Sequence, residues 1–239
     1  MIKISNISKA YKKGTKVIDN LNLEIKDGEI FGFIGLNGAG KTTTIKMITG
    51  ILEIDEGEIL IDDKNIATEP VEAKKLIGFV PDNPDMFLKL KGIEYLNFIA
   101  DVYEISKEER IDKIRTLATK FSILDELENK IDNYSHGMRQ KIVIIGALLH
   151  SPKNLILDEP VTGLDPKSSF DLKNIMKEYA SKGNTVFFST HILEIAEKLC
   201  DRVGIINKGK LIFVGTLEEL KNKFNNNSLE EIFINLINK

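Results

Sequence analysis

Short apolar runs alternate with amphipathic helical patterns along most of this chain. The runs that predict strands cover residues 2–4, 17–25, 29–34, 155–157, 185–189, 203–206 and 210–214. Strands that alternate with helices are typical of a largely parallel α/β core. The first two runs are joined by a predicted turn at residues 12–15, which indicates an antiparallel β region before the main sheet.

The pattern changes between residues 87 and 134, where strand signals vanish and charge increases. Ser106 and Glu109 form a capping-box signature, which predicts a helix that runs to about Lys120. We therefore expect a helical subdomain, at about residues 87–148, inserted into the α/β core. Near the end, residues 225–227 predict a short polar linker, and Ser228 predicts the start of a last amphipathic helix. The expected division is one domain over residues 2–226 and a C-terminal helix over 227–239.

Composition excludes several classes of function. The 239 residues carry a formal net charge of −3, so no strong basic field favours nucleic acid or an anionic lipid surface as a partner. The single cysteine, Cys200, excludes an internal disulfide and is typical of a reducing compartment. The longest apolar run, residues 142–149, is far shorter than the ~18 residues that a membrane span needs. No leader pattern opens the sequence, and we expect a cytoplasmic protein.

A glycine-rich segment follows the apolar run at residues 29–34 and precedes a helix predicted over residues 41–48. It fits the pattern G-x-x-x-x-G-K-[ST] in full and comprises Gly35, Leu36, Asn37, Gly38, Ala39, Gly40, Lys41 and Thr42. Glycines let the backbone turn tightly around phosphate oxygens, and the helix N-terminus then faces the anion. Lys41 can reach the β- and γ-phosphates, and the Thr42 hydroxyl suits Mg²⁺. The segment predicts a nucleoside triphosphate cradle, although a simple strand-to-helix turn would also use glycines.

An apolar strand that ends in two carboxylates forms the second candidate element. Residues 154–157 run directly into Asp158 and Glu159. A carboxylate at a strand end beside the phosphate loop can hold Mg²⁺, which is the role predicted for Asp158. Because successive strand residues alternate, Glu159 should face elsewhere and polarise an attacking water. The alternative is a buried strand followed by an ordinary acidic turn into Pro160.

Further motifs occur in a fixed order around these two elements. The segment Tyr134-Ser135-His136-Gly137-Met138 is similar to an LSGGQ signature, and residues 163–166 are similar to a D-loop. With these motifs, the chain resembles the ATP-binding subunit of a bacterial ABC transporter over about residues 2–217. The resemblance implies a P-loop NTPase core that binds ATP and Mg²⁺. Other positions then match the family. Tyr11 matches the aromatic that stacks on adenine, and Thr43 belongs to the phosphate loop. Residues 78–82, which include Asp82, match the Q-loop, and His191 matches the switch histidine.

Two positions depart from the family pattern. The third signature position holds His136 where the family has glycine, and the Q-loop position holds Asp82 where it usually has glutamine. Backbone N–H groups still donate beside a side chain, so the resemblance implies that Ser135 and Gly137 contact phosphate. Asp82 is expected to contact nucleotide and to reach Mg²⁺ through water, or else to be a turn residue. Taken alone, Tyr11 is also compatible with packing, and His191 with a helix-start surface position.

The resemblance implies an ATPase that dimerises around ATP with a second ATP-binding subunit, identical or paralogous. The helical insertion and the Q-loop segment would dock on a membrane-spanning permease, which implies a peripheral position on the inner face of the cell membrane. The segment 213–220 resembles export-type subunits more than importers. Two alternatives stay open at this point: a nucleotide-binding regulatory module that hydrolyses poorly because of Asp82 and His136, and a non-transport ABC ATPase.

Overall fold

A computed structural model of the chain describes residues 1–12, 14–224 and 228–237. Part of the predicted turn at 12–15, the predicted linker 225–227, and residues 238–239 of the C-terminal segment lie outside the described residues. The strands are β1 (Ile2–Lys12), β2 (Thr15–Ile25), β3 (Ile30–Ile34), β4 (Glu56–Ile61), β5 (Lys64–Asn65), β6 (Ile77–Val80), β7 (Asn154–Leu157), β8 (Thr185–Thr190), β9 (Arg202–Asn207) and β10 (Lys210–Gly215).

The first sheet is antiparallel and contains the strands β2-β1-β4-β5 in that order. β1 lies between two partners, since Ile2 pairs with Ile25 on one side and with Ile61 on the other. This confirms the predicted antiparallel N-terminal β region. The sequence did not predict β4, because its first half is the polar stretch Glu56-Gly57-Glu58 and only three apolar residues follow.

The second sheet has the order β10-β9-β3-β8-β7-β6, and its strands from β9 to β6 are parallel. β10 is antiparallel to β9 and lies at the edge. This confirms the predicted parallel core. Because the carboxyl ends of parallel strands meet at one edge, the segments that follow β3, β7 and β8 converge there.

The helices are α1 (Lys41–Ile48), α2 (Pro70–Lys75), α3 (Gly92–Val102), α4 (Lys107–Lys120), α5 (His136–Leu148), α6 (Pro166–Ser181), α7 (Leu193–Leu199), α8 (Leu217–Lys223) and α9 (Leu229–Ile237). None of these described helices is long and apolar enough to cross a bilayer. α3, α4 and α5, with two short 3₁₀ turns, form the helical insertion. Its bounds at 87–148 stay a prediction.

α5 joins this insertion to the sheet. Four consecutive residues, Ile142 to Ile145, are buried, so the helix packs on both of its sides. They share one hydrophobic cluster with Tyr95 of α3 and with Leu155 of β7. Burial of large aliphatic side chains at about 25 cal/mol per Å² couples the insertion to the core at this helix.

The last helix, α9, packs onto the edge of the parallel sheet. Ile232 and Phe233 are buried against α7 and β9, in a cluster that contains Ile205. Asn207 Nδ2 of β9 donates to the carbonyl of Ile237 at 3.1 Å. In the described residues this helix therefore shares a hydrophobic core with the preceding domain.

His150, just after α5, is a partly buried imidazole in an apolar setting. Its ring stacks on Tyr103 with centroids 3.6 Å apart, and Nε2 lies 3.0 Å from the carbonyl of Ile77. Nδ1 is buried and has no hydrogen-bond partner among the described residues. Burial lowers the pKa of His150 to about 4.

We expect this histidine to make the fold acid-sensitive. The unfolded chain takes up a proton on His150 near pH 6.5, whereas the folded chain does so only near pH 4. The free energy of unfolding should therefore fall as pH drops from about 6.5 to about 4, by roughly 2 kcal/mol after allowance for the partial exposure of the ring. Urea unfolding at a series of pH values measures this slope.

His150→Phe is the matched control, because it keeps an aromatic ring on Tyr103 and cannot titrate. The difference in unfolding free energy between the two proteins should change across this pH range and stay constant above it. An identical slope in both proteins would show that His150 does not carry the acid sensitivity.

Candidate functional site

The segments after β3, β6 and β7 form a cleft of about 260 Å³ at the carboxyl edge of the parallel sheet. It is lined by Val17, Leu36, Asn37, Gly38, Gly40, Lys41, Thr42, Thr43, Asp82 and Glu159. Phosphate-loop, Q-loop and carboxylate residues that are far apart in sequence therefore meet in one place. Val17 is the lining residue that sequence analysis did not predict, because an apolar strand residue carries no chemical signal.

The phosphate loop is open where a ligand would approach. Gly38 has φ +80°, and a Cβ built on it would meet no atom within 4 Å. Gly40 has φ +112°, and a Cβ there would lie 2.5 Å from Cδ1 of Ile18. A side chain at Gly38 would fill the free space, and one at Gly40 would collide with the sheet. The two glycines therefore leave a concave backbone surface at the N-terminus of α1, which suits an anion.

Lys41 is held over this surface. Its ammonium group donates to the carbonyls of Gly35 at 2.8 Å and Leu36 at 3.3 Å. Nζ also lies 3.3 Å from Oε1 of Glu159, and only 6% of the lysine side chain is exposed. Oε1 of Glu159 is buried. It forms this ion pair but has no hydrogen-bond partner among the described residues. The geometry places a cation between the loop and the carboxylate.

Asp158 lies in the interior, directly after β7. It is 1% exposed, and burial raises the pKa of its carboxyl group. The hydroxyl of Ser189, in β8, donates to Oδ1 at 2.5 Å, and the nearby hydroxyl of Thr42 also lowers the pKa of this carboxyl group. Both interactions act against the raised pKa, because they stabilise the ionised form. Thr42 and Asp158, two of the three predicted magnesium ligands, are therefore neighbours.

Glu159 faces away from Asp158 for a reason that the sequence did not reveal. The strand ends at Leu157, and Glu159 has φ +48°, so the predicted strand alternation does not apply to this pair. A left-handed non-glycine residue is uncommon and costs about 1 kcal/mol or more, and such residues cluster at functional sites. This conformation directs Oε2 to within 2.9 Å of Nδ1 of His191.

Ser189 is the positioning residue that sequence analysis missed. Its hydroxyl oxygen accepts from the backbone N–H of Glu159 at 3.0 Å while it donates to Asp158. One hydroxyl thus holds both the carboxylate of Asp158 and the backbone of Glu159. Ser189 lies at the end of the predicted strand 185–189. Its positioning role follows only from the pairing of β8 with β7.

Tyr11 lies beside the phosphate loop, and Asp82 lies in the cleft. Tyr11 is 59% exposed, and its hydroxyl is 3.4 Å from Oγ1 of Thr43. An exposed ring beside the loop is available for stacking on a base. Asp82 follows β6, lines the cleft and raises the pKa of Asp158 through the repulsion of its own charge.

The signature segment lies at the N-terminus of α5 and does not line the cleft in the described part of the chain. Ser135 is the N-cap, and its hydroxyl oxygen accepts from the N–H of Met138 at 3.3 Å. His136 opens the helix with ordinary backbone angles, so a non-glycine residue fits this position. The start of α5 therefore lies outside the lining of the chain's own cleft, with Ser135 and His136 exposed and Gly137 partly buried.

The residues present fit a nucleoside triphosphate with Mg²⁺. The loop has the concave surface and the buried lysine that bind phosphate oxygens, and the exposed tyrosine can contact a base. Thr42, Asp158 and Asp82 offer only oxygen donors, which Mg²⁺ prefers. Two or three protein ligands are typical for Mg²⁺ beside substrate phosphates, since the ion keeps several waters.

Comparison with known proteins agrees with this geometry. A protein-family model described as ABC transporter matches residues 18–162. The linearmycin resistance ATP-binding protein LnrL of Bacillus subtilis is 35% identical over 239 residues, which cover 100% of this chain and 76% of that protein.

Two solved structures are similar over nearly their whole length. An ATP-binding subunit of an ABC transporter has a TM-score of 0.94 and 33% identity, and the match covers 99% of both chains. A dimeric ATP-binding cassette in a post-hydrolysis state, bound to ADP and Pi, has a TM-score of 0.82 and 26% identity, and the match covers 91% of this chain and 99% of that one.

Proposed function

The chain belongs to the ATP-binding subunits of ABC transporters, ATPases that dimerise and work with membrane permeases, and on this premise we propose that it powers export across a membrane. The ATP hydrolysis in this proposal rests on one observation. Four residues converge at one edge of the sheet: Lys41, Asp158, Glu159 and His191. The groups that this chain supplies for phosphoryl transfer to water meet there.

The proposed roles follow from the contacts. Lys41 holds the β- and γ-phosphates in place of its present carbonyl partners, and Tyr11 stacks on the adenine. Thr42, Asp158 and, through water, Asp82 hold Mg²⁺, which supplies charge neutralisation on the phosphate oxygens. The remaining residues of the loop from Gly35 to Thr43 contribute backbone N–H groups and shape.

Hydrolysis then needs one base. A water oxygen attacks the γ-phosphorus, the bond to the β–γ bridging oxygen breaks, and ADP leaves while inorganic phosphate forms. Glu159 takes the proton that the water loses. His191, hydrogen-bonded to the other oxygen of that carboxylate, holds it in orientation.

Dimerisation completes the site. Ser135 and Gly137 lie at an exposed helix N-terminus, and this position supports a contact with nucleotide bound by a second subunit. One chain then supplies two half-sites. The second subunit is a copy of this chain or a paralogue.

An apolar groove beside the Q-loop segment suits a permease. Tyr95 and Ile99 of α3 line it, with Tyr103 just after that helix and with Phe87, whose ring lies 5.7 Å from the ring of Phe98. Phe87 is 45% exposed and Phe98 46%. Exposed clustered aromatics are typical of interaction surfaces. We propose that a cytoplasmic helix of the permease docks here, which holds the chain on the inner face of the membrane.

The export direction rests on relatives. The name of LnrL assigns that protein to linearmycin resistance, and resistance is achieved when a toxic compound is moved outwards. The segment 213–220, which resembles export-type subunits, agrees. The net charge of −3 gives the chain no strong overall basic field, and this disfavours nucleic acid as a partner.

We expect Phe98→Glu to uncouple the chain from its permease. A charge buried in an apolar contact costs several kcal/mol, so the variant should lose most of its co-purification with the membrane fraction when both genes are expressed. Ile111→Glu is the matched control, because Ile111 is 64% exposed on the neighbouring helix α4 and lies outside both the groove lining and the Phe87–Phe98 pair beside it.

Co-purification and ATP turnover of the free chain are measured on the same preparations. Equal binding by both variants would remove the groove from the proposal. Absence of ATP turnover from the parent protein together with its permease would remove the function itself.

A further inference from the structure

We propose that His136 is a positioning residue that joins the start of α5 to the loop 160–165 of the same chain, so that the two move as one body and align Glu159. This inference rests on the proposed function, in which Ser135 contacts nucleotide on a second subunit and Glu159 is the general base. It gives a purpose to the histidine that departs from the glycine of the signature pattern.

The contact is between the imidazole and Gly163. A Cβ built on Gly163 would collide with Cδ2 of His136 and would lie 2.7 Å from Nε2. The ring edge therefore occupies the space that a side chain at residue 163 would need. Gly163 also has φ +81°, which L side chains rarely adopt. The histidine and the glycine are complementary in shape.

Three further contacts connect the same helix face to the same loop. A Cβ on Gly137 would lie 2.8 Å from the Gly163 carbonyl oxygen, so the helix and the loop backbone are in close approach. Gln140 Nε2 donates to the carbonyl of Pro160 at 3.5 Å. Lys141 Nζ is 2.9 Å from Oδ2 of Asp165, and this ion pair lowers the pKa of that carboxyl group. Both ends and the middle of the loop are thus attached to α5.

The loop itself is short and internally bonded. The N–H of Thr162 donates to the carbonyl of Glu159 at 3.1 Å, and that of Leu164 donates to Val161 at 3.3 Å. At its far end Asp165 caps α6 through the N–H of Ser168. A loop held at this many points transmits a displacement of α5 to Glu159, because it has little freedom to absorb it.

The consequence is communication between two nucleotide sites. When Ser135 contacts nucleotide on a second subunit, α5 is held in place, and through His136 and Gly163 the base of its own chain is held too. Binding in one composite site then prepares hydrolysis in the other. The imidazole acts here by shape and contact within its own chain, not by charge on the partner's phosphate.

Amide hydrogen exchange of the nucleotide-free chain tests the contact without any need for catalysis. His136→Gly should speed exchange at residues 161–165 by roughly three- to tenfold, because the loop opens more often. His136→Phe fills the same space without charge and should restore slow exchange. Unchanged exchange in the glycine variant overturns the proposal.

A double-mutant cycle isolates the pair. Gly163→Ala should lower the urea midpoint more in the parent chain than in His136→Gly, because only the backbone strain remains once the ring is gone. Equal losses in both backgrounds would show that the ring and Gly163 are not coupled.

Steady-state kinetics then separates the two roles open to the imidazole. For positioning, His136→Gly lowers kcat with KM for ATP little changed, and His136→Phe recovers most of it. For phosphate contact, phenylalanine is as poor as glycine in kcat, and this result would overturn the positioning role. A parent without ATPase activity would overturn the proposed function but leave the exchange and stability results valid.

Discussion

Glu159→Gln should bind ATP normally and hydrolyse it roughly 10²–10⁴-fold more slowly than the parent protein. The amide keeps the size of the side chain and can still bond to His191, but it cannot take a proton from water. The ATP-bound dimer should accumulate, because its dissociation follows hydrolysis. Phosphate release and size-exclusion chromatography in the presence of ATP measure the two effects.

Glu178→Gln is the control for the loss of one carboxylate. Glu178 lies on α6, where it is exposed and paired with Lys182 at 2.7 Å. This variant should retain parental turnover. If Glu159→Gln also retained it, the general base would have to be another group, and the left-handed conformation of residue 159 would need a different explanation.

Ser135→Arg should abolish ATP-driven dimerisation and hydrolysis while each isolated chain still binds ATP. Arginine at the exposed helix start adds bulk and a long side chain where the phosphate of a second subunit would approach. The chain's own phosphate loop is lined by other residues and stays intact. Nucleotide binding is measured on the monomer by fluorescence of an ATP analogue, and dimerisation by light scattering.

Complementation with Lys41→Ala provides the sharper result. In a mixed dimer of the two variants, one composite site lacks both groups and the other has Lys41 from one chain and Ser135 from its partner. The mixture should recover part of the activity that neither variant has alone, provided that one intact site turns over by itself. Loss of ATP affinity in monomeric Ser135→Arg would instead indicate a site completed within one chain, which contradicts the dimer arrangement.

Local sequence patterns predicted the parts of this site that depend on neighbours in the chain. The phosphate loop and α1 follow from glycine spacing and from the helix signal after it, and α1 begins and ends where the sequence placed it, at Lys41 and Ile48. The strand before Asp158 was equally clear, because four buried residues precede a polar pair.

Features that depend on distant contacts could not be predicted in this way. Ser189 is fixed beside Asp158 only by the pairing of β7 with β8. The direction of the Glu159 side chain depends on the positive φ of this residue, which a glutamate in the sequence does not indicate. The contact of His136 with Gly163 joins the start of α5 to the loop 160–165, which is distant in sequence. A single sequence contains no signal for such a contact.

The order of the parallel sheet has a consequence during synthesis of the chain. β3 lies at the centre of the sheet, yet its neighbours are β8 and β9: Ile30 pairs with Val186, and Phe31 pairs with both Phe187 and Arg202. At ~5–20 residues per second, a ribosome needs on the order of ten to thirty seconds to make the roughly 150 residues between these partners. During that interval Phe31 and Phe33 have no sheet partner on either side, while the antiparallel sheet can already form. The nascent chain therefore exposes this apolar strand, next to the future ATP site, until β8 and β9 have been made, and during this interval a chaperone can protect it.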